Sequence, residues 1–292
     1  MTALGRTKAA PRSTVPKGRP WSRLRRVADA HQAATSIAPG PWLMLLEARA
    51  PWEFGALLAA SPWLARLPRG DGHPVIVYPG LGASDISTLS LRGFLRDHGY
   101  TPYGWKQGFN LGPRKGVLDG CRHQLAQVAD RHREKISLIG WSLGGVYARE
   151  LAKEQPDLIR CVITLGTPFS GHPRATNAWR FYELVSGKRL HDHDPGLLAQ
   201  LRSSPPVPTT SIYSKTDGVV AWQCSLNEDA PHAENIEVHA SHVGMGMNPL
   251  ALYAIGDRLA QDPAHWRKFD VVGARRWFYK VTHGAAMRAA RP

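Results

Sequence analysis

The chain has 292 residues, 43% hydrophobic and 21% charged, so it is long enough and apolar enough to bury a substantial core. This composition excludes a disordered protein, a collagen-like repeat and a small disulfide-bonded scaffold. The net charge of +14 lies at the two ends, because residues 1–26 carry eight basic and no acidic residues and residues 264–292 carry seven basic residues against Asp270. The remainder is neutral, so the charge concerns solubility or contact with an anionic surface rather than the main chemistry.

The cysteines and the N-terminal residues indicate the cellular compartment of the protein. Cys121, Cys161 and Cys224 lie far apart and form no CxxC pair, so neither a disulfide framework nor a zinc ribbon is indicated and a reducing compartment fits best. The basic start of the chain runs through residues 21–26 with no apolar stretch behind it, so no secretory signal is visible. We therefore expect a cytoplasmic protein, with attachment to the periphery of a membrane as the alternative.

The first predicted elements in chain order are a basic arm and a helical segment. Residues 1–30 predict a disordered arm. Residues 41–68 are apolar but are interrupted by four charged residues and by Pro51 and Pro62, so they cannot supply the roughly 20 uninterrupted apolar residues of a membrane span. Their periodicity favours two short amphipathic helices, and we expect a helical segment at 31–71 that packs on the main domain. A helix that lies on a membrane surface is the alternative.

An α/β domain is predicted at 72–260. Short β-rich runs alternate with helical stretches, which indicates a mostly parallel sheet with helices on both faces. The predicted strands are 75–78, 101–104, 136–139, 161–165, 210–213 and 236–238, and the predicted helices lie near 87–98, 117–133, 143–155 and 249–260. The stretch 169–208 is far longer than a usual connection, so we expect a helical lid insertion there. Residues 261–292 are a basic, aromatic C-terminal extension.

A glycine-flanked serine lies between a predicted strand and a predicted helix. Gly140-Trp141-Ser142-Leu143-Gly144 has the GxSxG pattern, after the strand 136–139 and before the helix from 143. A nucleophile at such a sharp turn needs glycine two places on either side, because a side chain there would collide with the neighbouring strand and helix. The pattern therefore predicts Ser142 as a nucleophile, and an idle serine in a glycine-rich turn is the alternative.

A serine nucleophile needs a histidine base and a carboxylate that orients this base. In hydrolases of this topology the chain order is Ser, then Asp or Glu, then His. Asp217 lies just past the predicted strand 210–213, and His242 follows 236–238, where His239 is its competitor. We predict Asp217 and His242 as the partners of Ser142, with a turn-forming Asp-Gly pair as the alternative for Asp217.

The oxyanion of the transition state also needs two backbone N–H donors. One is predicted to be that of Leu143, the residue after the nucleophile. The other is expected from the glycine-containing loop 78–84 after the first strand, where Leu81 is the candidate. This loop lacks both the GxGxxG spacing and a following Gly-Lys-Ser/Thr, so it does not predict a phosphate site.

Together these motifs resemble those of the α/β-hydrolase superfamily, and within it the chain is similar to bacterial lipases and esterases. The strand end Thr-Leu-Gly-Thr-Pro at 164–168 looks like the segment before the lid in lipase-like members, 217–220 resembles their acid loop and 242–249 their histidine loop. The resemblance covers about residues 72–260 and implies an α/β-hydrolase fold with a triad of Ser142, His242 and Asp217. The oxyanion loop, Pro-Gly-Leu-Gly at 79–82, departs from the His-Gly and HGGG forms of lipases and esterases.

Aromatic and apolar residues near these motifs are candidates for an acyl-chain pocket. They are Trp141 beside the nucleophile, Trp179 and Tyr182 in the lid, and Trp222 and Met245 next to the acid and histidine loops. The alternative is the ordinary role of such residues, which is to pack the lid onto the sheet.

Two further patterns carry weaker hypotheses. The run His-Asp-His-Asp at 191–194 has the side chains of a metal site, but neighbouring positions cannot all face one ion from a regular element, so neither a metal nor a cofactor is expected. Aromatic and basic residues interleave at 266–269 and 275–280, which suits anionic headgroups or single-stranded nucleic acid. A docked helix with solvated charges is the alternative, and an anionic membrane is preferred to nucleic acid as the peripheral partner.

The leading functional hypothesis is a serine hydrolase of carboxylic esters, with a small-molecule or lipid ester that bears a lipophilic acyl or alkyl group as substrate. A thioesterase or an acyltransferase would use the same triad and is the alternative within catalysis. A non-catalytic membrane-surface or nucleic-acid-binding protein on a hydrolase scaffold is the alternative from another class, and the complete set of motifs argues against it.

Overall fold

The computed structural model describes residues 38–170, 176 and 200–282. In these ranges a seven-stranded sheet is covered by helices. The strands are β1 (Pro74–Tyr78), β2 (Thr101–Gly104), β3 (Ile136–Trp141), β4 (Ile159–Leu165), β5 (Thr209–Tyr213), β6 (Ala233–Glu237) and β7 (Lys280–Val281). The α-helices are α1 (Pro41–Leu45), α2 (Ala50–Leu64), α3 (Leu89–Asp97), α4 (Val117–His132), α5 (Leu143–Glu154) and α6 (Pro249–Leu259).

The strand order is β2-β1-β3-β4-β5-β6-β7. Strands β1 to β6 pair in parallel, and β7 runs antiparallel to β6. Parallel neighbours need crossover connections, and α3, α4 and α5 supply the first three in the chain. The predicted mostly parallel sheet is confirmed, and the carboxyl ends of its parallel strands meet at one edge, where such folds place functional side chains.

Side chains of the sheet alternate between two buried faces. On β1, Val75 and Val77 belong to the cluster that contains residues of α3 and α6, whereas Ile76 and Tyr78 pack with residues of α4 and α5 on the opposite face. A strand that is buried on both faces needs an apolar side chain at nearly every position, which explains the uninterrupted apolar run of β1. The prediction of helices on both faces is thereby confirmed.

The predicted and observed elements differ mainly at their ends. Strand β3 extends through Gly140 and Trp141, and β6 lies at 233–237 instead of 236–238. The sequence does not predict β7, in which Lys280 and Val281 pair with Glu237 and Ile236. A strand of two residues carries no periodicity that a sequence could reveal, so part of the C-terminal extension joins the sheet without a sequence signal.

The N-terminal segment 41–64 forms α1 and α2, joined by a 3-10 turn at Leu46–Arg49. Leu64 of α2 packs in the core shared with α3 and α6. Other apolar side chains face solvent, namely Trp42, Met44, Leu45, Leu46, Trp52, Phe54 and Leu58. The segment therefore presents apolar groups to both the core and the solvent. No helix in the described part of the chain is long and apolar enough to span a membrane.

Two predicted segments fall largely outside the described residues. The basic arm at 1–30 lies entirely outside them. Of the predicted lid at 169–208, residues 169–170, 176 and 200–208 are described, and Thr176 forms an isolated antiparallel bridge with Val220. The helical character of the lid therefore stays a prediction.

Candidate active site

Ser142 lies at the turn between β3 and α5. Its backbone has φ 52° and ψ −125°, a conformation that residues with a side chain rarely adopt. Two backbone hydrogen bonds support the turn, from Ser142 N to the carbonyl oxygen of Leu165 (2.8 Å) and from Gly145 N to that of Ser142 (3.0 Å). A strained serine at the carboxyl end of a parallel strand has the geometry of a nucleophile elbow.

The glycines around Ser142 are required by close contacts. A Cβ atom on Gly140 would collide with the backbone of Gly145, and one on Gly144 would collide with the carbonyl group of Tyr78. The GxSxG spacing therefore follows from the tight packing of α5 against β3 and β1.

His242 and Asp217 form a buried pair in the loops that follow β6 and β5. His242 Nδ1 and Asp217 Oδ2 are 2.7 Å apart, and Asp217 Oδ1 accepts from the backbone N–H groups of Val219 (2.8 Å) and Val220 (2.7 Å). These bonds fix the carboxylate, and the carboxylate orients the imidazole ring. The other ring nitrogen, Nε2, is then left for proton transfer.

Burial and charge act in opposite directions on the pKa of His242. Burial disfavours the cation, whereas the charge and the hydrogen bond of Asp217, together with the charge of Glu47, favour it. The result is a pKa raised above the ordinary value for histidine. The site therefore stabilises an imidazolium, which is the species formed when a histidine takes a proton from a nucleophile.

Gly166 connects the serine turn to the histidine–aspartate pair. It follows β4 directly, and the preceding residue, Leu165, accepts the backbone hydrogen bond of Ser142. A Cβ atom at Gly166 would lie 3.0 Å from both Asp217 Oδ2 and His242 Nδ1. The structure thus brings the three predicted catalytic residues to one edge of the sheet, after β3, β5 and β6.

The loop after β1 carries the predicted oxyanion donor Leu81. Within the described residues, neither the N–H group of Leu81 nor that of Leu143 donates to an acceptor. The loop lies directly against the serine, because a Cβ atom on Gly80 would be 3.1 Å from Ser142 Cβ. Among the described residues these are two backbone donors without acceptors, one in this loop and one at the start of α5, and an oxyanion needs two such donors.

Asn110, which the sequence analysis does not single out, supports this loop. Its Nδ2 donates to the carbonyl oxygen of Pro79 (2.8 Å), its backbone N–H donates to Ala83 (2.8 Å), and its carbonyl accepts from Gly82 (2.7 Å). The hydroxyl of Tyr147 on α5 donates to Asn110 Oδ1 (3.2 Å). Asn110 therefore links the predicted oxyanion loop to the helix that begins after Ser142.

The predicted substrate-contacting residues lie in different surroundings. Trp141 is buried, and its indole N–H donates to the backbone carbonyl of His242 (3.0 Å). Met245 is fully buried in the core cluster that also contains Trp141, and Trp222 stacks on Tyr213 with ring centroids 5.7 Å apart. The positions of Trp141 and Met245 are those of packing residues that support the histidine loop. Two predicted residues of the lid lie outside the described residues: Trp179 and Tyr182.

A second Ser-His-Asp array lies near the opposite end of the sheet. His73 Nε2 is 2.8 Å from Ser137 Oγ, and His73 Nδ1 contacts Asp71 Oδ1. Cys161 Sγ is 3.3 Å from the same hydroxyl of Ser137. Ser137 and His73 have no exposed surface, and a nucleophile must reach its substrate. This array is therefore a buried structural network, and Ser142 remains the candidate nucleophile.

Within residues 38–170, 176 and 200–282, no group of three or more His, Cys, Asp or Glu side chains could hold a metal ion. The run 191–194 lies outside the described residues. Cys121, Cys161 and Cys224 are all buried.

Solved structures with a similar fold include several hydrolases. Lipase B of Aspergillus fumigatus has a TM-score of 0.50 and 19% identity, over 69% of this chain and 57% of the lipase. Lipase BlEst2 of Bacillus licheniformis has a TM-score of 0.49 and 17% identity, over 67% of this chain and 95% of that protein. An α/β superfamily hydrolase of Oenococcus oeni has a TM-score of 0.49 and 17% identity, over 64% and 91% of the two chains.

These likenesses concern the fold. No protein-family model and no curated protein matches the sequence. The match spans little more than half the length of the Aspergillus lipase. The parallel sheet, the strained serine after β3 and the loops after β5 and β6 agree with the likeness to the Aspergillus lipase, and the chain has the α/β-hydrolase fold that its motifs predict.

Proposed function

We propose that this protein is a serine hydrolase that cleaves carboxylic esters with a lipophilic acyl or alkyl group. The observation that carries the proposal is the buried His242–Asp217 pair at the same sheet edge as the strained Ser142. A serine hydroxyl is a poor nucleophile alone, and this pair supplies a base together with the carboxylate that orients it.

In the proposed reaction, Ser142 Oγ attacks the ester carbonyl carbon while His242 Nε2 takes the hydroxyl proton. The N–H groups of Leu81 and Leu143 bind the oxyanion of the tetrahedral intermediate. His242 gives the proton to the leaving alcohol, and an acyl-enzyme remains on Ser142. A water molecule, deprotonated by His242, then attacks the acyl-enzyme and releases the carboxylic acid, while Asp217 maintains the tautomer of the ring and stabilises its cation.

The choice of carboxylic esters rests on the resemblance of the motifs to those of lipases and esterases. The similar structure with a TM-score of 0.50 carries the name lipase, in keeping with that choice. A panel of p-nitrophenyl esters from acetate to palmitate, run beside acyl-CoA thioesters, tests it. We expect the highest kcat/KM on an ester with an acyl chain longer than acetate. A preference for thioesters would replace the esterase assignment with a thioesterase.

A fluorophosphonate probe tests the nucleophile, and Ser137 provides a matched control. We expect the wild-type protein to be labelled covalently, and Ser142→Ala to lose labelling together with several orders of magnitude in kcat. Ser137→Ala should keep labelling but lose about 1–3 kcal/mol of stability, because His73 Nε2 loses its buried partner. Labelling that survives in Ser142→Ala, or its absence from folded wild-type protein, contradicts the proposal.

A further inference from the structure

Glu47, in the 3-10 turn between α1 and α2, binds the loops of both Asp217 and His242. Glu47 Oε1 accepts from the backbone N–H groups of Gly218 (2.7 Å) and His242 (2.9 Å), and Oε2 accepts from that of Val243 (2.9 Å). These partners are 171, 195 and 196 residues away along the chain. One carboxylate from the N-terminal segment thus links the acid loop to the histidine loop.

Arg49 and Glu53 bind the same two loops at neighbouring residues. Glu53 Oε1 accepts from the backbone N–H of Ser241 (2.6 Å) and from Arg49 Nε (3.2 Å). Arg49 Nη2 donates to the carbonyl oxygen (3.0 Å) and the hydroxyl oxygen (2.7 Å) of Thr216. Thr216 and Ser241 are the residues immediately before the proposed acid and the proposed base. In each of the two loops, the segment therefore contacts the residue before and the residue after the proposed catalytic residue.

The packing around these carboxylates leaves little room for the loops to move. A Cβ atom on Gly218 would collide with the backbone of Leu43, and one on Gly244 would collide with Glu53 Oε2. Glu53 is buried, and Glu47 is half-buried. Removing carboxylates from water is costly unless hydrogen-bond donors meet them, and here five N–H groups donate to both oxygens of Glu47 and to Oε1 of Glu53. Among the described residues, the buried Oε2 of Glu53 has no hydrogen-bond partner. The contact is therefore specific to these two loops.

Glu47 also acts on the imidazole by charge. Within residues 38–170, 176 and 200–282, the charged groups that bind the histidine loop or its partners are Asp217, from the loop after β5, and Glu47, Arg49 and Glu53, from the N-terminal segment. Asp217 and Glu47 are the two whose charges raise the pKa of His242. A carboxylate near the ring favours the imidazolium, so its removal is expected to lower this pKa.

We propose that Glu47 is a positioning residue of the active site, supplied by a segment outside the α/β sheet and assisted by Arg49 and Glu53. The proposal rests on the proposed function. Glu47 holds the backbone of His242 against the acid loop, which maintains the bond between the ring and Asp217, and its charge stabilises the ring when it is protonated. It acts through His242 and not on the substrate.

The variant Glu47→Gln tests the proposal, since the amide removes the charge and places an NH2 group against a backbone N–H. We expect kcat/KM to fall about tenfold, because small displacements of a catalytic group are costly. The ascending limb of the pH profile should move to lower pH, because the ring needs to be neutral to act as a base and loses its proton more readily without the nearby negative charge. An NMR titration of the His242 ring should move in the same direction.

Glu150→Gln is the matched control, because Glu150 is a half-buried carboxylate on α5, paired with Lys153 (2.7 Å), that does not act on the pKa of His242. It should leave both readouts unchanged. If Glu47→Gln does not fold, Arg49→Met keeps both carboxylates, releases Thr216 and should lower kcat/KM about tenfold. Wild-type kcat/KM in Arg49→Met, or wild-type kcat/KM with an unmoved ring titration in Glu47→Gln, overturns the proposal. A wild-type protein that cleaves no ester overturns the proposed function instead, and the ring titration still tests Glu47.

Discussion

Two buried histidines in this protein each contact an aspartate, yet their pKa values move in opposite directions. Burial lowers the pKa of His73, and the cation of Arg160 adds to this effect, so the bond with Asp71 does not compensate. Arg160 also pairs with Asp71 (2.8 Å), so that carboxylate serves two partners. Burial likewise lowers the pKa of His242, but two neighbouring carboxylates outweigh it. At the residue scale, a histidine that acts as a base must hold a proton transiently. It therefore needs neighbouring carboxylates that outweigh the effect of burial, as around His242.

A methyl group added at Gly166 would contact both members of the proposed catalytic pair, Asp217 and His242. Its φ is +53°, so alanine there costs about 1–2 kcal/mol of backbone strain. The new Cβ would also lie 3.0 Å from both Asp217 Oδ2 and His242 Nδ1, tighter than an ordinary contact. We predict that Gly166→Ala lowers kcat at least about tenfold, measured on a soluble ester beside thermal unfolding.

Gly93→Ala is the control for this substitution, because Gly93 lies in α3 and a Cβ there meets no atom within 4 Å. Alanine is favoured over glycine in a helix by about 1 kcal/mol, so the control should be as stable as the wild type or more so, with unchanged kcat. Wild-type kcat in Gly166→Ala would show that Asp217 and His242 can shift without a loss of activity.

At the scale of elements, the loop after β1 depends on Asn110 for its position. We predict that Asn110→Ala destabilises the protein by about 1–3 kcal/mol, because the buried carbonyl of Pro79 loses its donor. It should also lower kcat by about tenfold or more, since the loop carries one of the proposed oxyanion donors. Chemical denaturation and ester kinetics on the same preparation measure the two effects.

Asn235→Ala separates the effect on stability from the effect on the oxyanion loop. Asn235 is a buried asparagine of β6 whose amide donates to the carbonyl oxygens of Asn227 (3.1 Å) and Thr282 (3.1 Å), away from the loop after β1. A similar loss of stability with normal kcat is expected. Equal losses of kcat in both variants would mean that Asn110 has no specific role in the loop.

The elements that the sequence predicts are those with a local signal. The turn at Ser142 is predictable because its strand, its glycines and its helix are contiguous, and Asp217 and His242 are predictable because each follows a strand in a known order. Glu47 and Asn110 are not, since their partners lie far along the chain and no spacing marks them. The charges that interrupt the apolar segment 41–68 are the one available signal, because a carboxylate in a docking segment needs a partner.

At the scale of the whole molecule, the N-terminal segment has one side bound to the α/β domain and another side exposed to solvent. One side binds the loops of Asp217 and His242 through Glu47, Arg49 and Glu53. The other exposes large apolar groups, among them Trp42 and Trp52, which are 78% and 80% exposed. In the sequence, residues 27–40 separate this segment from a stretch, 1–26, that carries eight basic and no acidic residues. Exposed apolar groups close in sequence to a basic stretch are typical of proteins that lie on an anionic membrane.

We therefore predict that the basic stretch and the exposed apolar side chains both contribute to the binding of anionic vesicles. Measurements at low and at high salt distinguish the two contributions. Basic residues near such a surface contribute about 1 kcal/mol each and are screened by salt, so deletion of residues 1–20 should weaken co-sedimentation at low salt and matter little at high salt. Trp42→Ser with Trp52→Ser should weaken it at both, because burial of apolar surface is not screened. Both variants should keep kcat on a soluble short-chain ester within about twofold, as no triad or oxyanion residue is altered. Unchanged sedimentation of both variants would remove the membrane from the list of partners.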